Sequence, residues 1–368
     1  MRLFRFMSVA VLLLAFASCT HRTQTEKPDS VLYRIDASGK GCRIWTYHPD
    51  GSIQDSITLD RNLKRIVCMS SSHIACLSAI GCDSLICGVS GIKYISDTLI
   101  QRRFSEGKVA DVGSDVAADY EKILSMSPDL VTAYSLPGSD FVKKLRSLGV
   151  NVLVLNDYLE NNPLGRASYI KLFGALTGKT AVADSVYEAV RADYDSLSAI
   201  VQGAVNQEEE RKKVLVNVPY SDVWYIPGGD NYMSRLIHDA GGEVLGAAAG
   251  KTESGTVSVE QAYLLSKDAQ VWLNTGWFDS LDALYASSPV FGKFGCADNV
   301  YNNTLRTTPG GGNDFWESGA VRPDLILSDL IRILHPGLIQ DAPLHYYRKL
   351  VFRDSTCVVE NTYNNCPL

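Results

Sequence analysis

The sequence predicts an α/β protein: two Rossmann-like lobes with parallel sheets, joined by a single long bridging helix, with a ligand cleft between the lobes. Three observations predict it. From Arg65 onward, short β-rich runs alternate with longer helical patterns, which is how parallel strands covered by helices read. The alternation occurs twice, on either side of a segment from Pro163 to Val205 that carries no strand signal. Within that segment Val182, Val186, Val190, Tyr194, Leu197 and Val201 recur at helical spacing along one apolar stripe. Twenty-five helical residues would reach roughly 37 Å at ~1.5 Å per residue, enough to cross the back of both lobes. The chain length of 368 residues agrees, since it exceeds one small core and suits two lobes of roughly 100–200 residues.

Residues 1–18 read as an export signal. Arg2 and Arg5 precede an apolar run from Met7 to Ala17, too short to span a bilayer of ~30 Å, and small residues lead to Cys19. Cys19 sits where the lipidated cysteine of a bacterial lipoprotein signal would stand, with Phe16 where leucine is usual. An ordinary signal peptide is the alternative. Residues 19–30 are polar and suit a flexible tether to a membrane. Residues 31–61, broken by Gly39-Lys40-Gly41 and Pro49-Asp50-Gly51, read as a β-hairpin extension. The first lobe is expected over 62–160. Its strands fall at Arg65–Met69, Leu85–Val89, Leu130–Tyr134 and Val150–Leu155, with helices at Ile74–Ile80, Tyr120–Met126 and Phe141–Leu148. The bridging region covers 161–206 and the second lobe 207–350. Strands there fall at Val214–Val218, Val271–Asn274 and Asn299–Tyr301, with helices near Tyr232–Ala240, Val259–Ser266 and Asp324–Leu334. Residues 351–368 form a tail.

Composition narrows the chemistry. A formal charge of −6 and the lack of a basic stripe argue against nucleic acid as a partner. The cysteines from 42 to 296 lie mostly in apolar runs and read as small buried hydrophobes, while Cys357 and Cys366 could form a local bridge. Gly174-Ala175-Leu176-Thr177-Gly178-Lys179-Thr180 has three residues between its glycines and a helix ahead of it, so it is a helix end and no phosphate-binding loop. No Gly-x-Ser-x-Gly elbow or His-Glu-x-x-His helix occurs. The chain is therefore expected to bind rather than catalyse, without a resident cofactor. In open parallel sheets the ligand lies beyond the carboxyl ends of the strands. That rule selects His73, Tyr94, Tyr134, Tyr158, Trp224, Trp277, Phe278, Arg306, Phe315 and Trp316 as candidate ligand contacts, an aromatic set suited to a bulky, partly apolar molecule.

Several phrases then converge. Arg65-Ile66-Val67-Cys68-Met69-Ser70, Val109-Ala110-Asp111-Val112-Gly113, the run from Tyr120 to Val131, that from Tyr232 to Gly242, Val257–Ala262, Asn313–Trp316 and Arg322–Leu327 occur in one order around the bridging pattern. Over about 62–350 the chain resembles a class III periplasmic substrate-binding protein of ABC importers, the group handling ferric siderophores, heme and cobalamin. The resemblance implies a monomeric, exported, lipid-anchored protein serving an importer permease. It also implies that Glu121 and Glu260 pair with permease arginines, one from each lobe. An iron chelate is the expected cargo, with Tyr94 or His73 reaching the iron if it is heme; cobalamin is the alternative. A surface scavenger without an importer, or an enzyme on the same scaffold, would be the readings from other classes.

Overall fold

The structure, a computed structural model, describes residues 31–36, 41–135, 138–205 and 210–353. The proposed leader, tether, Cys19, Cys357 and Cys366 lie outside them. Among the described residues no helix is long and apolar enough to cross a membrane.

The extension is a three-stranded antiparallel sheet and not the expected hairpin: β1 (Tyr33–Asp36), β2 (Cys42–Tyr47) and β3 (Ile53–Leu59), in that order. Two turns were legible, one on either side of the central strand, but the sequence reading joined only two strands through them. Cys42, Ile44 and Thr46 alternate inward, while Arg43 is exposed and Trp45 half-buried between the guanidinium groups of Arg34 and Arg43, 5.2 and 4.7 Å from its ring. Asp55 of β3 ties the sheet to the lobe behind it, accepting from the Val154 N–H at 2.9 Å and pairing with Arg146 at 2.5 Å.

The first lobe contains β4 (Ile66–Cys68), α1 (Ser71–Ala79), β5 (Ile86–Val89), α2 (Thr98–Ser105), β6 (Ala110–Asp111), α3 (Tyr120–Ser125), β7 (Leu130–Ala133), α4 (Phe141–Ser147) and β8 (Val152–Val154). Its strands are all parallel, in the order β6-β5-β4-β7-β8. Alternate residues feed two cores: Ile66, Cys68, Leu130 and Leu153 pack on one face, Val67, Val131 and Val152 on the other. Both faces are therefore apolar, which is why these strands read as continuous hydrophobic runs. Helix α2 and the two-residue β6 escaped the sequence reading. The first buries only Ile100, with Leu99 and Phe104 left outside the core, and the second is too short to show a period.

Helices α5 (Pro163–Ala167) and α6 (Tyr169–Thr177) lead into α7 (Thr180–Ala204), the bridging helix. Gly178 ends α6 in the left-handed conformation at φ 72°, as the helix-end reading requires. Ala183 and Val186 pack into the first lobe's core, and Tyr194, Leu197 and Val201 into the second's. The stripe begins one residue later than expected, for Val182 is exposed and Ala183 fully buried.

The second lobe contains β9 (Lys212–Val216), β10 (Trp224–Ile226), α8 (Tyr232–Asp239), β11 (Gly242–Val244), β12 (Gly255–Val257), α9 (Val259–Ser266), β13 (Val271–Leu273), α10 (Leu281–Ser287), β14 (Val300–Asn302), α11 (Pro323–Leu334) and β15 (Arg348–Lys349). The main sheet runs β11-β9-β13-β14-β15, parallel except for β15 at the edge. An antiparallel ribbon of β10 and β12 stands apart. Trp224, Trp272, Phe291 and Phe294 form the centre of this core, the two indole rings stacked at 5.9 Å. The six cysteines described, at 42, 68, 76, 82, 87 and 296, are free and buried, and for the four from 68 to 87 this is what the apolar runs around them predicted.

Candidate functional site

Each sheet reverses its strand order at one point, and the gap between strand ends there is where such folds receive ligands. In the first lobe the reversal lies between β4 and β7. Ser70, following β4, caps α1 by accepting from Ser72 N–H and hydrogen-bonds the Tyr134 hydroxyl that follows β7. Behind them runs a buried polar chain. His73 Nδ1 meets Thr132 Oγ1 at 3.0 Å and its Nε2 meets Asp157 Oδ1 at 3.3 Å; Arg166 Nε donates to Asp157 Oδ2 at 3.2 Å. The Arg166 guanidinium continues to the Tyr232 ring of the second lobe at 5.4 Å. Burial alone would raise the Asp157 pKa, but the His73 hydrogen bond and the Arg166 charge outweigh it and hold it at about 2. Burial, with the Asp157 charge, pushes Tyr134 up to about 12.

In the second lobe the reversal lies between β9 and β13. The residues following these strands, Asn217 and Asn274, are both left-handed, at φ 67° and 59°. Asparagine tolerates that conformation better than most side chains, and it turns both chains sharply at the strand ends. Asn217 donates through its side chain to Tyr225 O at 2.8 Å, and Asn274 accepts from the Tyr347 hydroxyl at 3.1 Å. Beyond them Tyr220, Tyr225 and Trp277 are exposed, Trp277 at 63%. Ser221 and Asp222, at φ 49° and 65°, form the turn that carries Tyr220.

The lobes meet along the loop from Arg306 to Glu317. Thr308 Oγ1 donates to Lys93 O at 2.7 Å, and Gly310 and Gly312 lie so close to the backbone of Lys93 and Tyr94 that a Cβ on either would collide with it. This close approach explains the glycine run. The Glu317 carboxylate accepts from the Ser96 and Asp97 N–H groups at 2.8 and 2.7 Å; burial, with Asp314 and Asp97 nearby, raises its pKa to about 8. Arg306, half exposed, pairs with Asp314 at 3.0 Å.

The structure divides the predicted contacts. Tyr94, Tyr158, Trp277, Trp316 and Arg306 present exposed surface at the strand ends or on the loop joining the lobes, and Tyr134 meets Tyr158 edge-on at 5.2 Å. His73, Trp224 and Phe315 require correction. All three are buried to 1% exposure or less: His73 with both ring nitrogens engaged, Trp224 donating to Val216 O inside the core, Phe315 against Tyr346 and Tyr347. A position after a strand places the backbone near the cleft, but it does not decide whether the side chain turns inward. Phe278 is partly buried on the second core. Sequence reading missed Arg166, Asn217 and Asn274. The two asparagines directly follow strands, and that was their signal. Among the described residues no group of His, Cys, Asp or Glu side chains is placed to hold a metal ion.

Glu121 and Glu260 are exposed in the first turns of α3 and α9. Each helix leads back to a parallel strand, so its N-terminus emerges at the strand C-terminal side of its lobe. Glu260 sits in a capping box formed by Ser258 and Gln261, and its hydrogen bond to Ser258 lowers its pKa.

The profile of the family described as periplasmic binding protein matches residues 66–291. A lipoprotein of uncharacterised function from Methanocaldococcus jannaschii is 28% identical over 80% of this chain and 70% of its own length. A protein named as cobalamin-binding from Halobacterium salinarum is 25% identical over 76% of this chain and 71% of its own. Among solved structures, a periplasmic heme binding protein from Pseudomonas aeruginosa shares the fold with a TM-score of 0.58 at 17% identity, covering 78% of this chain and 98% of the other.

Proposed function

This chain belongs to the periplasmic binding protein family, and on that footing we propose that it is the lipid-anchored substrate-binding component of an ABC importer whose cargo is a corrinoid. The observation that carries the cargo reading is the character of the cleft surface. Tyr94, Tyr158, Tyr220, Tyr225, Trp277 and Trp316 offer flat exposed rings, and Arg306 is balanced by Asp314, so the surface suits a large, nearly neutral, planar ligand held by contact. The likeness to a relative named as cobalamin-binding supports the same choice. Heme is the second reading, favoured by the exposed Tyr94 phenol as an iron ligand. The absorption spectrum of protein purified from its own host separates them: corrinoid bands are expected, and a Soret band would replace the corrinoid with heme.

Cys19 carries the anchor in this reading, and Glu121 and Glu260 dock to permease arginines through bidentate contacts. Replacing both glutamates by alanine is expected to abolish uptake in cells while leaving the affinity of the isolated protein unchanged. Undiminished uptake would remove them from the docking role.

A further inference from the structure

Glu317 stands on a loop that leaves the second sheet at β14 and returns to it through α11, yet its carboxylate reaches across to the first lobe. The residue is 2% exposed, and the Ser96 and Asp97 N–H groups that it receives lie just ahead of α2. The same loop grips this segment twice more, through the Thr308 bond to Lys93 O and the close seat of Gly310 and Gly312 against Lys93 and Tyr94. Tyr94 is one of the exposed rings at the cleft, so its placement depends on that grip.

The charges around Glu317 have the wrong sign for a carboxylate. Asp314, on the same loop, is paired with Arg306 and accepts from the Ser318 hydroxyl. Asp97 caps α2 and accepts from the Ser78 hydroxyl of α1. The basic groups on the neighbouring elements are engaged elsewhere. His73 of α1 and Arg166 of α5 meet Asp157, Arg322 ahead of α11 meets Asp324, and the Lys93 ammonium lies over the Tyr94 ring. A carboxylate, moreover, only accepts hydrogen bonds, whereas the neutral acid adds an O–H donor. Ser96 Oγ, on the residue whose N–H Glu317 already holds, is buried without a partner and offers that donor an acceptor. Neutral Glu317 is thus relieved of two repulsions and can satisfy an orphaned hydroxyl; the ionised form does neither.

We propose that Glu317 is a proton-operated latch between the lobes: with its proton it fastens the 93–97 segment to the second lobe, and on releasing that proton to solvent it loosens the segment. The latch is independent of which cargo the cleft holds. Its contribution is complete below the ~4.3 of an unfolded glutamate and is lost as the pH climbs through about 8. Amide hydrogen exchange of the ligand-free protein tests this, read on a peptide covering 93–99 and divided at each pH by the rate of the unfolded chain. Protection is expected to fall about tenfold between pH 7 and 9, because over that window the opened segment has already lost the proton that the closed one is giving up. Glu317→Gln, which resembles the neutral acid in shape and keeps a donor and an acceptor, is expected to hold its protection across the window. Protection in the native protein that does not change between pH 7 and 9 overturns the latch, and so does a fall of equal size in Glu317→Gln. The native measurement alone decides the matter if the variant does not fold.

Discussion

Asp157 and Arg166 show what a single pair of residues contributes. Both are buried, at 2% and 8% exposure, and each has the other as its only oppositely charged side chain of fixed charge within bonding distance among the described residues. Removing one member of such a pair leaves the other charged in an apolar setting, and this costs about 3–5 kcal/mol. Asp157→Ala is accordingly expected to lower the unfolding free energy by that amount in urea denaturation. The pH dependence has a definite sign. Because the folded carboxyl titrates at about 2, below the ~4 of an unfolded aspartate, its contribution is present above pH ~4 and is lost as the pH falls toward 2. The variant should show a shallower loss of stability than the native protein over that window. Neither residue could be paired from sequence: Asp157 carries no signal beside the candidate Tyr158, and Arg166 falls in a segment whose pattern is helical. Chains of buried charge are assembled by tertiary contacts, which leave no periodic trace.

At the scale of elements, the bridging helix was the most legible part of the chain because its stripe repeats over many turns and its length rules out a strand. Its two halves pack into different cores, with Ala183 in one and Tyr194 and Val201 in the other, so its central turns carry the coupling between lobes. Ala192 is exposed in that stretch. Ala192→Pro removes a helical hydrogen bond and clashes with the preceding turn without altering either core, at a cost of about 3 kcal/mol or more. The expected result is a lowered urea midpoint, and a midpoint equal to the native one would mean that the helix does not bear on stability. The short elements were illegible for the converse reason. β6 and β15, two residues each, are held by their neighbours in the sheet and leave no pattern of their own.

For the whole molecule, order along the chain was enough to give two lobes and a bridge, since doubly wound sheets follow from alternating strands and helices with few topological choices. The cleft was legible only as a set of backbone positions. Whether a side chain there faces ligand or core was decided by packing, as the opposite fates of Trp277 and Trp224 show. One further consequence concerns mechanical load. The chain leaves residue 30 and enters the fold at Val31, where Leu32 N–H is held by the buried Glu160 carboxylate at 2.6 Å and the Tyr33 hydroxyl by Ser168 O at 2.8 Å. A pull on Val31 would be shared by these two bonds, beside α5 and ahead of the bridging helix, with the Tyr47 N–H bond to Leu32 O at 2.9 Å and the β1–β2 pairing. Force entering there arrives beside α5, whose Arg166 reaches the Tyr232 ring of the second lobe, so both lobes stand close to the point of entry.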